Sequence, residues 1–201
     1  MTHPRLLTLD DIADVRAYER ERADFRAQVI ALKKRRRVHL GDFLTLVFEN
    51  RDTIRFQIQE MARIERLVTD EAIQGELDTY NPLIPVPGQL SATLFLELTS
   101  DDQLREWLPK LVGIERSILL HAGDGDSGVT VRALPEEAHA AQLTREEITA
   151  SVHYVTWQLT PAEVAAVDRG PVRLSVDHLA YGTTTELDGQ TVAELVTDLR
   201  D

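Results

Sequence analysis

Apolar and polar positions switch between two periods along this chain, and the switches mark its elements. Ile12, Val15, Tyr18, Phe25, Val29 and Leu32 recur at helical spacing, so one long helix is expected from Thr8 to about residue 34. Thr8 stands at its cap with Asp11 three residues on, the spacing of a capping box. "RVHL" and "FLTLVFE" follow around "GD", two β-branched and aromatic runs that read as a hairpin. Helical spacing returns in "NRDTIRFQIQEMARIERLV" and "DEAIQGELDTY". "NPLIPVPG" must end it, because its three prolines suit an extended segment.

In the second half, "QLSATLFLEL" alternates as a strand with Leu90, Ala92, Leu94, Leu96 and Leu98 on one face. "SDDQLREWLPKLVGIE" is a helix opened by Ser100. "SILLHAG" and "GVTVRAL" flank the turn-rich "DGDSG". Residues 134–148, polar and alanine-rich, are expected to be a flexible connection or a short surface helix. "ITASVHYVTWQL" and "PVRLSVDH" read as strands around "TPAEVAAVDRG", a short helix with Pro161 in its first turn and Gly170 past its end. "TVAELVTDLR" closes the chain as an amphipathic helix. Hairpins outnumber crossovers, which predicts a single α+β domain over residues 1–201 with a largely antiparallel sheet, a long N-terminal helix and a sandwiched central helix.

The central helix carries the sharpest local question. On a wheel, Ile54, Ile58, Met61, Ile64 and Val68 form an apolar stripe with Glu65 inside it. Phe56 and Leu67 form a second apolar side, with Glu60 between that side and Ile64. Arg55, Gln59, Arg63 and Arg66 take the remaining face. A helix apolar on two sides is expected to lie between other elements. A carboxylate inside the stripe costs several kcal/mol unless it is paired or protonated, so Glu65 is expected to have a partner.

Charge adds an asymmetry. The net charge is −12, yet residues 1–67 hold 14 Lys and Arg against 11 Asp and Glu, while the remainder holds 8 against 23. The overall sign argues against nucleic-acid binding. The basic N-terminal part suits a small anion or an acidic protein partner, or simply a solvated helix end whose "KKRRR" complements the helix dipole. No apolar run is long enough to span a bilayer and the first residues lack a signal-peptide pattern, so the expectation is a cytoplasmic protein. With no cysteine, thiol catalysis, zinc-thiolate and iron–sulfur ligation by this chain are excluded.

Histidines His3, His39, His121, His139, His153 and His178 show no metal-binding spacing, and no metal is expected from motif. His153 shares a strand face with Val155, Trp157 and Leu159, the setting of a satisfied core histidine. "VDHLAY" places Asp177 and His178 at a strand end with Tyr181 nearby. No nucleotide-binding or serine-hydrolase motif occurs, and the cofactor is unknown, one held by N and O ligands being open.

Taken in order, "LTLDDI", "FRAQVIALKKRRRVHLG", "FQIQEMARIER", "GELDTYNPLIP", "LSATLFLEL", "LVGIE" and "VDHLAY" resemble the uncharacterised bacterial domain-of-unknown-function family 3501. The likeness spans nearly the whole chain, is most specific in the first hundred residues and loosens between about 122 and 150. The resemblance implies a chain of the kind often encoded beside rubrerythrin-like proteins and iron–sulfur oxidoreductases. The resemblance thus implies a setting in peroxide or electron-transfer metabolism and transfers no catalytic residue. The matching positions that could bind a ligand or partner are Gln59, Glu60, Arg63, Glu65, Arg66, Tyr80, Asn81, Asp177, His178 and Tyr181.

Three readings follow. The first is a non-enzymatic accessory or binding protein that meets an acidic redox partner or a small anion through the arginine face and the run Lys33 to Arg37. The second is a metal-dependent enzyme gathering Glu60, Glu65, His153 and His178. The third is a structural subunit, which would form a homo-oligomer.

Overall fold

The computed structural model describes residues 5–124, 128–136 and 147–200. Helix α1 (Val15–Arg35) is capped by Asp14, whose Oδ1 accepts from the Arg16 and Ala17 amides at 2.9 and 3.0 Å. The Thr8–Asp11 pairing expected to open this helix instead closes a separate 3-10 turn at Leu9–Asp11, where the Thr8 N–H donates to Asp11 Oδ2 at 2.9 Å. Ile12 is extended beyond that turn, so the helix begins only where Asp14 offers its carboxylate to two free amides.

The next elements follow the predicted order. Strands β1 (Arg37–Leu40) and β2 (Leu44–Phe48) make the hairpin, with Val38 opposite Leu46 and Leu40 opposite Leu44. Helices α2 (Arg51–Glu65) and α3 (Asp70–Tyr80) lead to β3 (Gln89–Leu96) and then α4 (Asp101–Lys110), which Ser100 caps. The second half comprises β4 (Ile118–Ala122), β5 (Val129–Arg132), β6 (Leu134–Pro135), β7 (Val152–Gln158), α5 (Pro161–Arg169), β8 (Val172–His178), β9 (Tyr181–Glu186) and α6 (Gly189–Arg200). Of the segment expected to be flexible, Leu134 and Pro135 pair with β7 as β6, and residues 137–146 lie outside the described residues.

Every described strand pairing is antiparallel, and the fold is α+β. The strands form two sheets, ordered β1-β2-β3-β7-β6 and β5-β4-β8-β9. The core between them takes Leu46, Phe48, Leu94 and Trp157 from the first and Leu120, Leu174 and Val176 from the second, and Leu195 and Leu199 of α6 join it. The opposite face of the first sheet is covered by α2, α3 and the segment after α3: Ile54, Ile58, Leu77, Leu83 and Ile84 pack there with Tyr154. Covered on both faces, β2 is buried at each of its positions.

Helix α2 lies against both α1 and α3, so it is sandwiched as its two-sided pattern predicts. Its phase differs from the wheel. Thr53, Ile54, Ile58, Gln59 and Ala62 are the buried positions, whereas Ile64 is 63% and Val68 83% exposed. The helix ends at Glu65, and Arg66 adopts a left-handed conformation with φ of 56°. The apolar stripe therefore stops one turn before the sequence pattern does. Glu65 is exposed and needs no buried partner, which corrects the expectation for it.

Candidate functional site

The alternation of β2 continues one residue past its end. Thr45, Val47 and Glu49 point to the helical side, and the Glu49 N–H donates to Ser91 O at 2.8 Å, extending the ladder with β3. Asn50 then turns the chain into α2, its Oδ1 accepting from the Thr53 amide at 3.0 Å. Glu49 is thus fixed at a strand-to-helix junction, 5% exposed. Thr93 Oγ1 donates to Glu49 Oε1 at 2.6 Å. Glu49 Oε2 is buried with no hydrogen-bond partner among the described residues.

A cavity of about 240 Å³ is lined in part by Glu49. Gln57 of α2, Lys33 of α1, Tyr80 of α3, Thr93 and Phe95 of β3, and Tyr154 of β7 line it, with Ile54, Leu83 and Val152 completing the wall. Burial, with the nearby Tyr80 and Glu49, pushes the Tyr154 hydroxyl up to about 12, so it stays protonated at neutral pH. The amides that open α2 supply no donor to Oε2. A buried acceptor without a donor costs about 1–3 kcal/mol, a cost the described fold does not offset. A second hollow, of about 320 Å³ between the 3-10 turn and α2–α3, is lined largely by apolar residues such as Ile12 and Leu67. None of its lining side chains has a buried unpartnered polar atom.

The residues singled out from the sequence fall into separate places, most of them held by other parts of the fold. Gln59 clamps Ala13, accepting from its N–H at 3.0 Å and donating to its carbonyl at 2.8 Å. Glu60 accepts from Arg22 Nε at 2.7 Å, Arg22 Nη2 at 2.9 Å, Tyr18 Oη at 2.6 Å and Arg63 at 3.3 Å. The Arg22 hydrogen bond above all holds its carboxyl down at about 2, and burial beside Glu60 raises the Tyr18 hydroxyl. Glu65 raises the carboxyl pKa of Glu76, secondary to burial of Glu76 itself. Asn81 pairs both ways with the Leu7 backbone, at 3.0 and 2.9 Å. Tyr80 alone of the ten reaches the Glu49 cavity.

At the other end, Asp177 accepts from Arg132 at 2.9 Å, and that bond lowers its carboxyl pKa. His178 accepts from the Ala180 amide at Nδ1, which leaves its Nε2–H to donate to Val112 O at 3.1 Å. Tyr181 Oη donates to Leu40 O and accepts from the Asp42 amide, both at 2.8 Å, tying the β8–β9 turn to the β1–β2 turn. His153 is buried in the inter-sheet core, its Nε2 near Ala150 O at 2.9 Å and Thr149 Oγ1 at 2.8 Å. Glu60, Glu65, His153 and His178 therefore form no joint site: Glu60 is turned to α1 and Glu65 is exposed at the end of α2, while His153 lies in the inter-sheet core and His178 at the end of β8. Among the described residues no group of three or more His, Asp or Glu side chains is placed to hold a metal ion.

The proposed cationic face is also largely engaged. Arg51 pairs with Asp11 at 2.6 Å, and Arg55 donates to Asp11 O at 2.9 Å while lying 5.0 Å from the Phe25 ring centre. Arg35 meets Glu194 at 2.7 Å, and Arg36 is buried against Asp198. The sequence reading passed over Glu49. Its signal was its place at the end of "FLTLVFE", a run apolar on both faces, where a carboxylate has no solvent side to take.

The profile of the family described as "Protein of unknown function (DUF3501)" matches residues 6–199. The chain belongs to that family. A crystal structure of a protein of unknown function from Burkholderia pseudomallei K96243 is similar to this DUF3501 chain, with a TM-score of 0.87 at 38% identity, covering 96% of this chain and 98% of that one. No curated protein matches it. The DUF3501 match includes Glu49, Tyr80, Thr93 and Tyr154. Among the described residues of this DUF3501 chain, no helix is long and apolar enough to cross a membrane.

Proposed function

We propose that this DUF3501 protein is a non-enzymatic binding protein that takes a small molecule into the cavity at Glu49, and acts as an accessory in the redox setting that its family resemblance implies. One observation carries the binding reading: Glu49, whose carboxylate has one buried oxygen without a donor among the described residues, lines a cavity together with two tyrosines. Ligand pockets share this construction, an apolar and aromatic wall with a few placed polar groups. Thr93 and Glu49 have the contact of a nucleophile with a base, at 2.6 Å. Thr93, however, lies inside β3 between β2 and β7, where the ladders on both sides engage the backbone amides an oxyanion would need. The arrangement favours holding a molecule over acyl transfer.

Saturation-transfer NMR with a library of small aromatic fragments tests the cavity. Binding is expected in the wild type and lost in Val152→Phe, which fills the cavity from β7. Equal binding in both proteins would overturn the assignment. The redox setting has its own test: deleting the gene should make cells peroxide-sensitive, with Val152→Phe failing to restore tolerance. Unchanged tolerance after deletion would contradict it.

A further inference from the structure

Resting on the cavity reading above, we infer that the ligand presents a positively charged nitrogen, an organic ammonium or guanidinium group, to Glu49. A carboxylate oxygen only accepts, so whatever completes Oε2 must donate. A charged donor offsets the burial of an anion better than a neutral one, because charge-assisted hydrogen bonds are about twice as strong. The wall fits the same group, for Tyr80, Tyr154 and Phe95 offer aromatic rings to a cation.

The fold's treatment of two other carboxylates sharpens the contrast. Glu60 receives Arg22 and Arg63, and Asp198 receives both terminal nitrogens of Arg36 at 2.7 and 2.8 Å. Among the described residues, Glu49 receives only the Thr93 hydroxyl. Lys33 lines the same cavity but does not bond to Oε2. No cation among the described residues bonds this oxygen, so the ligand brings it, with its apolar body lying against Phe95 and the tyrosine rings.

Isothermal titration with benzylammonium, benzyl alcohol and benzoate, which share one body and differ in the head group, tests this at neutral pH. Wild-type protein is expected to bind benzylammonium at least about tenfold more tightly than the alcohol, with benzoate weakest. In Glu49→Gln the cation and the alcohol should bind within about threefold of each other. Lys33→Met, an exchange on the part-exposed side of α1, should tighten the cation several-fold and leave the alcohol unchanged. It decides the matter if Glu49→Gln does not fold, no tightening then counting against the inference. Equal affinity for cation and alcohol in the wild type, or a preference that survives Glu49→Gln, would overturn it. If the alcohol binds without a cation preference and is lost in Val152→Phe, the ligand class falls while the cavity stands. If none of the three probes binds, both fall.

Discussion

Thr93 Oγ1 donates to Glu49 Oε1 at 2.6 Å, and no donor among the described residues reaches the other oxygen of that carboxylate. The hydroxyl anchors the group while leaving it half satisfied. Thr93→Val should cost about 1–3 kcal/mol, because it leaves a buried acceptor with no partner at all. Thr93→Val with Glu49→Leu should recover most of that loss, since two apolar side chains replace both partners. Urea unfolding of the two variants checks the sign, and a double variant weaker than the single one would contradict the account of this pair.

Glu60 links α1 to α2, and its acid titration should be visible. Its carboxyl falls to about 2 in the folded protein against the ordinary 4.5, chiefly through the Arg22 hydrogen bond. A depressed carboxyl contributes stability that is fully present above about 4.5 and is lost as pH falls toward about 2. Glu60→Gln should lower stability at neutral pH by about 1–3 kcal/mol and flatten the pH dependence across that window. Denaturation midpoints between pH 6 and pH 3 measure both effects.

Arg36 is 1% exposed, and Asp198 takes two of its hydrogen bonds. Removing one partner strands a buried charge. Asp198→Leu should therefore cost about 3 kcal/mol, with Glu194 limiting the damage, whereas Arg36→Met with Asp198→Leu should lie nearer the wild type. A thermal-unfolding cycle over the four proteins separates these outcomes.

Burial lowers the His153 pKa below its usual 6.5, against the raising effect of Glu115. The unfolded chain then binds the proton more readily, so stability should fall as pH drops below about 6.5 toward the lower folded value. Above that range the titration of this ring should add nothing to the pH dependence of stability. His153→Gln should remove that part of the slope, which histidine NMR and unfolding curves at matched pH will show.

The hairpins, the helix order and the antiparallel bias were legible because each rests on local spacing or on turn residues. "RVHL–GD–FLTLVFE" needs no knowledge of its neighbours to read as β1 and β2. Strand β9 was missed because "YGTTTE" lies against one sheet edge with alternate positions exposed and carries no apolar run. The phase of α2 differs from the wheel because the helix ends at Glu65, leaving Ile64 and Val68 exposed, while the small Ala62 takes a buried place. Glu49 is illegible for a related reason: its cavity is walled by α1, α3 and β7, which only the fold brings together. Tyr80 was found as a motif residue, but only the fold joins it to Tyr154 and Glu49.

The central claim is that Glu49 is the anchor of a ligand site, and a crystal structure of the protein grown with benzylammonium tests it most directly. The account predicts the amine nitrogen at about 3 Å from Glu49 Oε2, with the ring against Phe95 and the tyrosines. Water alone in the cavity, or Glu49 turned to bond Lys33 with the amine elsewhere, would contradict it.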